Sequence, residues 1–421
     1  MSNKKVRLFI SAQFISLFGS LLVQYAIIWY VTFLTGEGSS LALITICNAL
    51  PQAIVTPFGG VLADRHNRKI LIQTADCTVA LTTLLLALFL IFQSQSLTAI
   101  YICSIIRSIG SGIQIPTVNA LIPQIAEKDK LMEINSIFTT MFSILGCVAP
   151  AIAGIILKYS RFQYVLFIDV VTALIGVTIF AFVKVPYHEK AKALIIAKKR
   201  LKRAKKRGKP LPQSDALSKN PLQDLKEGLK FAWNTPFVRG FLFITAIFCL
   251  IIPIPSVLNI LLITRVFGED PLYLTINEIA YFAGGGFGGF LFAKWGGFKN
   301  RTKSLMLGYI IFGVTTIGIA LTTNFPLYIA IIAVCGLSMP LCNAVPMTML
   351  QENVKDENIL GRMFSINNII SSATMPLGIA VYGPLADVFD IRDIMLIAGI
   401  ALCALALVAR NTKSVYNVNN S

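Results

Sequence analysis

A chain of 421 residues that is 55% hydrophobic and only 14% charged, with a mean hydropathy of +0.72, has too little polar surface for a soluble globule. Its formal charge of +17 would suit nucleic acid only if the cations covered a foldable polar surface, and here they sit in loops between apolar runs. A polytopic membrane protein is what these numbers leave.

A helix needs about 20 apolar residues to cross a bilayer. By that ruler the spans are Leu8 to Thr35, Ser40 to Ala63, Ile70 to Phe92, Leu97 to Leu121, Leu131 to Leu157, Phe162 to Val183, Gly240 to Thr264, Leu272 to Ala293, Ser304 to Leu321, Phe325 to Leu350, Met363 to Ala386 and Ile394 to Ala409, twelve in all. Lys4, Lys5 and Arg7 precede a first run that is too long for the apolar part of a secretory signal and has no small-residue cleavage site, so it reads as the first helix. The ninth and twelfth runs are short, and only Gln93–Ser96 and Thr322–Asn324 part the third and ninth from their successors. Twelve spans put both termini on one side. With the amino terminus in the cytoplasm, only Lys158, Arg161, Arg265 and Arg392 of the 37 cations fall outside and Arg107 lies within a span, an asymmetry that sets the orientation.

The eight cysteines all fall inside apolar runs without a Cys-x-x-Cys pair, and His66 and His188 are loop residues. Neither a disulfide framework nor a metal site is implied. The longest loop carries ten residues, Lys198 to Arg207, of which eight are Lys or Arg. Such a run either meets anionic lipid headgroups, at about 1 kcal/mol per cation, or is a solvated linker that fixes topology. Pro210 and Pro212 break it, and Leu222 to Trp233 then has the amphipathic look of a segment lying along the membrane surface.

The chain thus divides into a six-helix bundle at 1–185, a basic cytoplasmic linker at 186–234 and a second six-helix bundle at 235–421. The bundles read as copies. A shift of about 226 to 229 residues takes Gly59-Gly60 to Gly288-Gly289, Leu62 to Leu291, Arg65 to Lys294, Gln124 to Gln351, Asp129 to Asp356 and Pro150 to Pro376, as parallel repeats require. Asp64 has Ala293 as its counterpart, so whatever that acid does belongs to the first half.

Ionisable groups inside spans are expensive and are functional candidates by default. Arg107 lies about 15 Å into the fourth span, and Asp76 about 9 Å into the third. The two spans are consecutive and antiparallel, so the pair meets if the residues face each other. Asp169 and Glu278 sit about a third of the way in from the outer side. A carboxyl group in a cavity of low dielectric exchanges a proton near neutral pH, which is what coupling to a proton gradient needs. Asp76, Glu278 and Asp169 are therefore the proton-coupling candidates, the alternative for each being a hydrogen-bonded packing role.

The basic turn from Gly59 to Lys69, Gly-Gly-Val-Leu-Ala-Asp-Arg-His-Asn-Arg-Lys, resembles the signature between the second and third helices of major facilitator superfamily transporters. Asn67 stands where that family usually has glycine, and Asn is the other residue that tolerates a left-handed backbone. The resemblance implies a major facilitator fold: an all-α membrane protein of twelve transmembrane helices in two six-helix pseudo-repeats. It also implies that Gly59, Asp64, Arg65 and Arg68, with Gly361 and Arg362 at the start of the eleventh span, are gating residues. An acid at Asp64 would favour the positive end of that helix.

Gly146-x-x-x-Pro150-x-x-x-Gly154 in the fifth span resembles, in degraded form, the glycine-proline motif of the antiporter branch of that superfamily, and plain helix packing explains it as well. Arg107-Ser108-Ile109-Gly110-Ser111-Gly112, with Pro116, Asn119 and Ala120, and Leu360-Gly361-Arg362-Met363-Phe364-Ser365 resemble the macrolide-efflux branch of multidrug exporters. That resemblance covers nearly the whole chain except the basic linker, which is longer than the branch leads one to expect. Spans one, four, seven and ten line the cavity in this fold, which makes Gln24, Tyr25, Arg107, Gln114, Asn259 and Asn343 the substrate-cavity candidates. Fewer than half of them are expected to touch substrate, since polar groups in membrane helices mostly bond neighbouring helices.

The reading is a secondary active exporter of amphipathic, macrolide-like small molecules that works by alternating access and proton antiport. It is expected to be a monomer in the bacterial cytoplasmic membrane, multi-pass, with both termini cytoplasmic. No phosphate-binding Gly-x-x-x-x-Gly-Lys-Ser/Thr occurs, so a proton gradient is the expected energy source and no cofactor is implied. The expected partners are an amphipathic solute, protons and membrane lipids, with no nucleic acid. No span holds a nucleophile beside a base, so an enzyme is not expected. The alternatives are export of a siderophore or other endogenous metabolite, or a non-transporting scaffold or sensor built on the linker.

Overall fold

The computed structural model describes residues 4–92, 95–126, 130–183, 185, 229–354 and 357–416. The basic run at 198–207, most of the amphipathic stretch at 222–233, and Asp129 and Asp356 lie outside them. No β-strand occurs among the described residues. In order come α1 (Lys4–Thr35), α2 (Gly38–Arg65), α3 (Arg68–Phe92), α4 (Leu97–Ile125), α5 (Leu131–Tyr159) and α6 (Phe162–Ala181). Then follow α7 (Pro236–Val266), α8 (Pro271–Trp295), α9 (Arg301–Leu321), α10 (Phe325–Asn353), α11 (Glu357–Val388), α12 (Ile391–Asn411) and the short α13 (Lys413–Tyr416).

Eleven of the twelve long helices are long and apolar enough to cross a membrane. The other, α8, dilutes its apolar run with Asn277, Glu278 and the glycines at 284, 285, 286, 288 and 289. Polar side chains set several of the starts. Ser96, Asp270, Asn300, Asn324 and Asp390 each accept a first-turn backbone N–H, groups that would otherwise lack an intrahelical partner. Those caps explain why α9 and α12 each begin three residues before their apolar runs. Two helices are interrupted where proline removes a donor. In α7 a π-helical turn at Ile254–Leu258 follows Pro253, and α10 breaks between Leu337 and Met339, just before Pro340.

By their contacts the residues form two compact units: Met1–Gln24, Cys47–Leu145 and Arg161–Lys219 in one, Tyr25–Ile46, Gly146–Ser160 and Asn220–Ser421 in the other. These boundaries cut through α1, α2 and α5. In the first unit Phe9, Phe138 and Phe180 centre a core with Val6, Ile72, Leu121 and Leu145, the Phe9 ring lying 5.9 Å from Phe138 and 5.4 Å from Phe180. In the second, Phe248 stacks on Tyr309 at 4.7 Å.

The internal repeat is visible in the packing of each unit. Helix α3 packs on α4 and α6, and α9 packs on α10 and α12. A Cβ added at Gly59 would lie 2.4 Å from the Gly112 carbonyl oxygen of α4, and one at Gly288 would lie 2.8 Å from the Leu337 carbonyl oxygen of α10. Their neighbours are open: nothing would lie within 4 Å of a Cβ at Gly60, and only Pro340 reaches 4.0 Å from one at Gly289. Lipid offers no hydrophobic gain for helix pairing, so such backbone-to-backbone approach is what holds the helices together. Gly59→Ala should accordingly destabilise the protein by about 1–3 kcal/mol, since backbone must give way. Gly60→Ala should be neutral to about 1 kcal/mol stabilising, because it removes a helical glycine from open space. Thermal midpoints of the two purified variants against wild type check both.

Candidate functional site

The polar groups inside the first unit form two rungs on antiparallel α3 and α4. Asp76 and Thr83 are two turns apart on α3, as Gln114 and Arg107 are on α4, so each rung joins one residue of each pair about 10 Å from the other. Helix α1 closes both, because Ser16 and Ser20 are four residues apart and share a face.

On the first rung Ser16 Oγ donates to Asp76 Oδ1 at 3.0 Å and Gln114 Nε2 donates to the same oxygen at 2.6 Å. Asp76 is buried and forms no ion pair among the described residues. On the second rung Arg107 donates through Nη1 to both Thr83 Oγ1 and Asp169 Oδ2, and through Nη2 to the Ser20 carbonyl at 3.2 Å. Thr83 Oγ1 also donates to Asp169 Oδ2 at 3.0 Å, and Ser20 Oγ to Asp169 Oδ1 at 3.4 Å. Arg107 therefore pairs with Asp169 of α6, and the meeting of Arg107 with Asp76 that the sequence left open does not occur.

The two acids are chemically different. Asp169 has donors on both oxygens, one of them a guanidinium that keeps its proton, so its charge is matched in place. Asp76 receives both of its bonds on Oδ1, and among the described residues no donor reaches Oδ2. A proton can bind Oδ2 without breaking either bond.

The second unit carries another polar cluster. Asn259, just after the π-helical turn, donates through Nδ2 to Asn277 Oδ1 at 3.0 Å, and the Tyr328 hydroxyl lies 2.9 Å from Asn259 Oδ1 and 2.7 Å from Asn277 Oδ1. Glu278 is half-buried, accepts from Asn277 Nδ2 at 3.4 Å and forms no ion pair among the described residues. Of the cavity candidates, Gln24, Arg107 and Gln114 fall in the first unit, and Tyr25, Asn259 and Asn343 in the second. Gln24 is exposed, the Tyr25 ring lies tilted 5.8 Å from that of Trp29, and exposed Asn343 donates to its own helix at the Met339 carbonyl. Sequence reading missed Ser16, Ser20, Thr83, Asn277 and Tyr328. The four-residue spacing of the two serines was the signal available for the first pair.

The glycine-proline row of α5 lies along α8. A Cβ at Gly146 would meet the Phe282 ring at 2.9 Å, the Pro150 carbonyl accepts from Thr275 Oγ1 at 3.3 Å, and a Cβ at Gly154 would lie 3.1 Å from the Pro271 carbonyl oxygen. One turn further on, Lys158 Nζ pairs with Asp270 Oδ2 at 2.6 Å. Burial works against the Asp270 charge, but the Lys158 ammonium and the Leu272 N–H outweigh it and hold the carboxyl below its usual range. The tie is thus present at neutral pH and is lost as the medium falls through that lowered value.

The basic turn between α2 and α3 is a clamp. Arg68 donates through Nε to the Ala63 carbonyl at 3.0 Å and through Nη1 to the Ala120 carbonyl at 2.8 Å and to Gln124 at 3.3 Å, with Asp64 at 3.4 Å. Lys69 caps the end of α6 through the Ala181 and Val183 carbonyls. Arg301 repeats the arrangement at the start of α9: it donates to the carbonyl five residues back, Gly296 at 2.9 Å, and to Glu352 of α10 at 2.9 Å. Asp64 and Arg65 are exposed, and Gly361 and Arg362 lie near the start of α11 in the second unit.

The family model of the Major Facilitator Superfamily matches residues 9–373 and 256–417, which together span nearly all of the described helices. The chain belongs to that superfamily. Macrolide efflux protein A of Streptococcus pyogenes is 26% identical over 400 residues, covering 94% of this chain and 93% of its own. The multidrug efflux pump Tap of Mycolicibacterium fortuitum is 22% identical over 391 residues, covering 90% and 89%. In fold the chain is similar to the crystal structure of the nucleoside transporter NupG, with a TM-score of 0.69, 14% identity, and 97% and 98% of the two chains covered. As a superfamily member with these spans, it is a multi-pass membrane protein of a transporter family.

Proposed function

We propose that this protein exports amphipathic, macrolide-like small molecules across the bacterial cytoplasmic membrane, by alternating access coupled to inward proton movement. Both termini are inside, no cofactor is used, and the proton gradient is the energy source. The observation that carries the coupling is Asp76: a buried carboxyl without a cationic partner among the described residues, held by α1 and α4 through a single oxygen. Taking up or losing a proton there changes the charge between two helices that line the cavity in this fold, which is the coupling antiport requires. Glu278 is the candidate acid of the second unit, and Asp169 stays with Arg107. The similarity to efflux proteins named for macrolides and for multiple drugs supports the substrate class. Asp64 and Arg68, with Arg65, Gly59, Gly361 and Arg362, act in gating.

The test is accumulation in intact cells. Cells expressing the protein should hold less radiolabelled macrolide than cells without it, and an uncoupler that collapses the proton gradient should erase the difference. Low accumulation that persists without a gradient would rule antiport out.

A further inference from the structure

Three of the contacts inside the second unit converge on one carboxylate at the end of α11. The Gly38 N–H donates to Asp387 Oδ1 and the Ser39 N–H to Asp387 Oδ2 at 2.8 Å. These are first-turn amides of α2, which have no partner within their own helix, and an acid at a helix start is favoured by its dipole. Arg265 of α7 closes the group. Its Nη2 lies 3.2 Å from Asp387 Oδ1 and donates to the Gly36 carbonyl at 2.9 Å, while Nη1 donates to the Ala386 carbonyl. Glycines let the chains come this near. Gly36 turns the chain between α1 and α2 at φ 63°, and a Cβ at Gly38 would lie 2.4 Å from the Gly383 carbonyl oxygen.

We propose that Asp387 is the bolt of a clasp that fastens the α1–α2 turn to the ends of α7 and α11, and that this clasp must release for substrate to leave on the outer side. The proposal rests on the export reading above, which also sets which side is outer. Its physical basis is the contrast with Arg107 and Asp169. That pair is sealed, with side chains 8% and 0% exposed, whereas Arg265 and Asp387 are 34% and 26% exposed. Water can reach the second pair and replace its bonds, and an ion pair so placed contributes little net stability. The clasp therefore holds by several weak polar bonds at once and parts at small cost, as a gate needs. It also accounts for Arg265, one of four cations that the charge asymmetry leaves on the outer side: its bonds reach two separate segments, the α1–α2 turn and the end of α11.

Two measurements on the full-length protein test this. Asp387→Asn has one acceptor oxygen in place of two and no charge, so amide exchange in peptides covering 36–42 should quicken about tenfold, with peptides around Asp76 unchanged. Arg265→Gln should give the same pattern if the first variant folds poorly. Separately, Ser39→Cys with Asp387→Cys replaces the clasp by one that a short bis-methanethiosulfonate closes covalently through two disulfides. Export should stop on crosslinking and return with reductant. Unchanged exchange at 36–42, or crosslinked protein exporting at the reduced rate, overturns the proposal. If the wild type exports nothing, the export reading has failed, and the exchange experiment still decides whether the clasp exists.

Discussion

An Arg107→Ala substitution is expected to destabilise the fold by about 3–5 kcal/mol, the usual cost of leaving one member of a buried ion pair uncompensated. Asp169 would lose its cationic partner in a site with no exposed surface, with only the Thr83 and Ser20 hydroxyls as donors. Fluorescence-detected gel filtration after a temperature ramp should show most of the variant lost well below the wild-type midpoint. The double variant Arg107→Met, Asp169→Leu should recover much of the loss, because removing both charges removes the desolvation burden as well. A single variant as heat-resistant as wild type would mean that the pair is not sealed in the folded protein.

The second large effect is on coupling. Asp76→Asn keeps an oxygen able to accept from Ser16 and Gln114, so the first rung should stay intact while its proton exchange is lost. Gradient-driven efflux is expected to fall to the level of non-expressing cells, with macrolide binding to the purified variant within about threefold of wild type, the scatter of substitutions that leave packing unchanged. Counterflow of drug down its own gradient, which needs no proton, should persist. Wild-type efflux with wild-type pH dependence in this variant would exclude Asp76 as the proton carrier and move the proposal to Glu278.

Much of this was legible in the sequence because bilayer physics writes it there. Length of apolar run, loop charge and the Gly59–Lys69 turn point to the class, the helices and the superfamily before any coordinate is placed. The doubled glycines at 59–60 and 288–289 also carried over, one of each pair packed and the other open. Partnering was not legible. Depth estimates from each span end put Asp76 and Arg107 several ångströms apart in level, and only the register of α3 against α4 shows that Gln114 meets the acid and Thr83 the cation. Hydroxyls were overlooked because Ser and Thr in apolar helices usually bond their own backbone, as Thr74 and Thr78 do here. The α8 helix shows the opposite weakness. Its glycines serve close packing against α10 and lower the very hydropathy by which a span is recognised.

The two arginine clamps have parted company since the duplication that the repeat implies. In the first copy Arg68 is satisfied mainly by neutral oxygens, those of Ala63, Ala120 and Gln124, and draws on Asp64 only at 3.4 Å with that carboxylate largely in water. In the second copy Arg301 discharges directly onto Glu352. The two joints thus differ in where the negative charge stands: in the first the Asp64 carboxylate is left mostly in water, and in the second that of Glu352 is spent on its arginine.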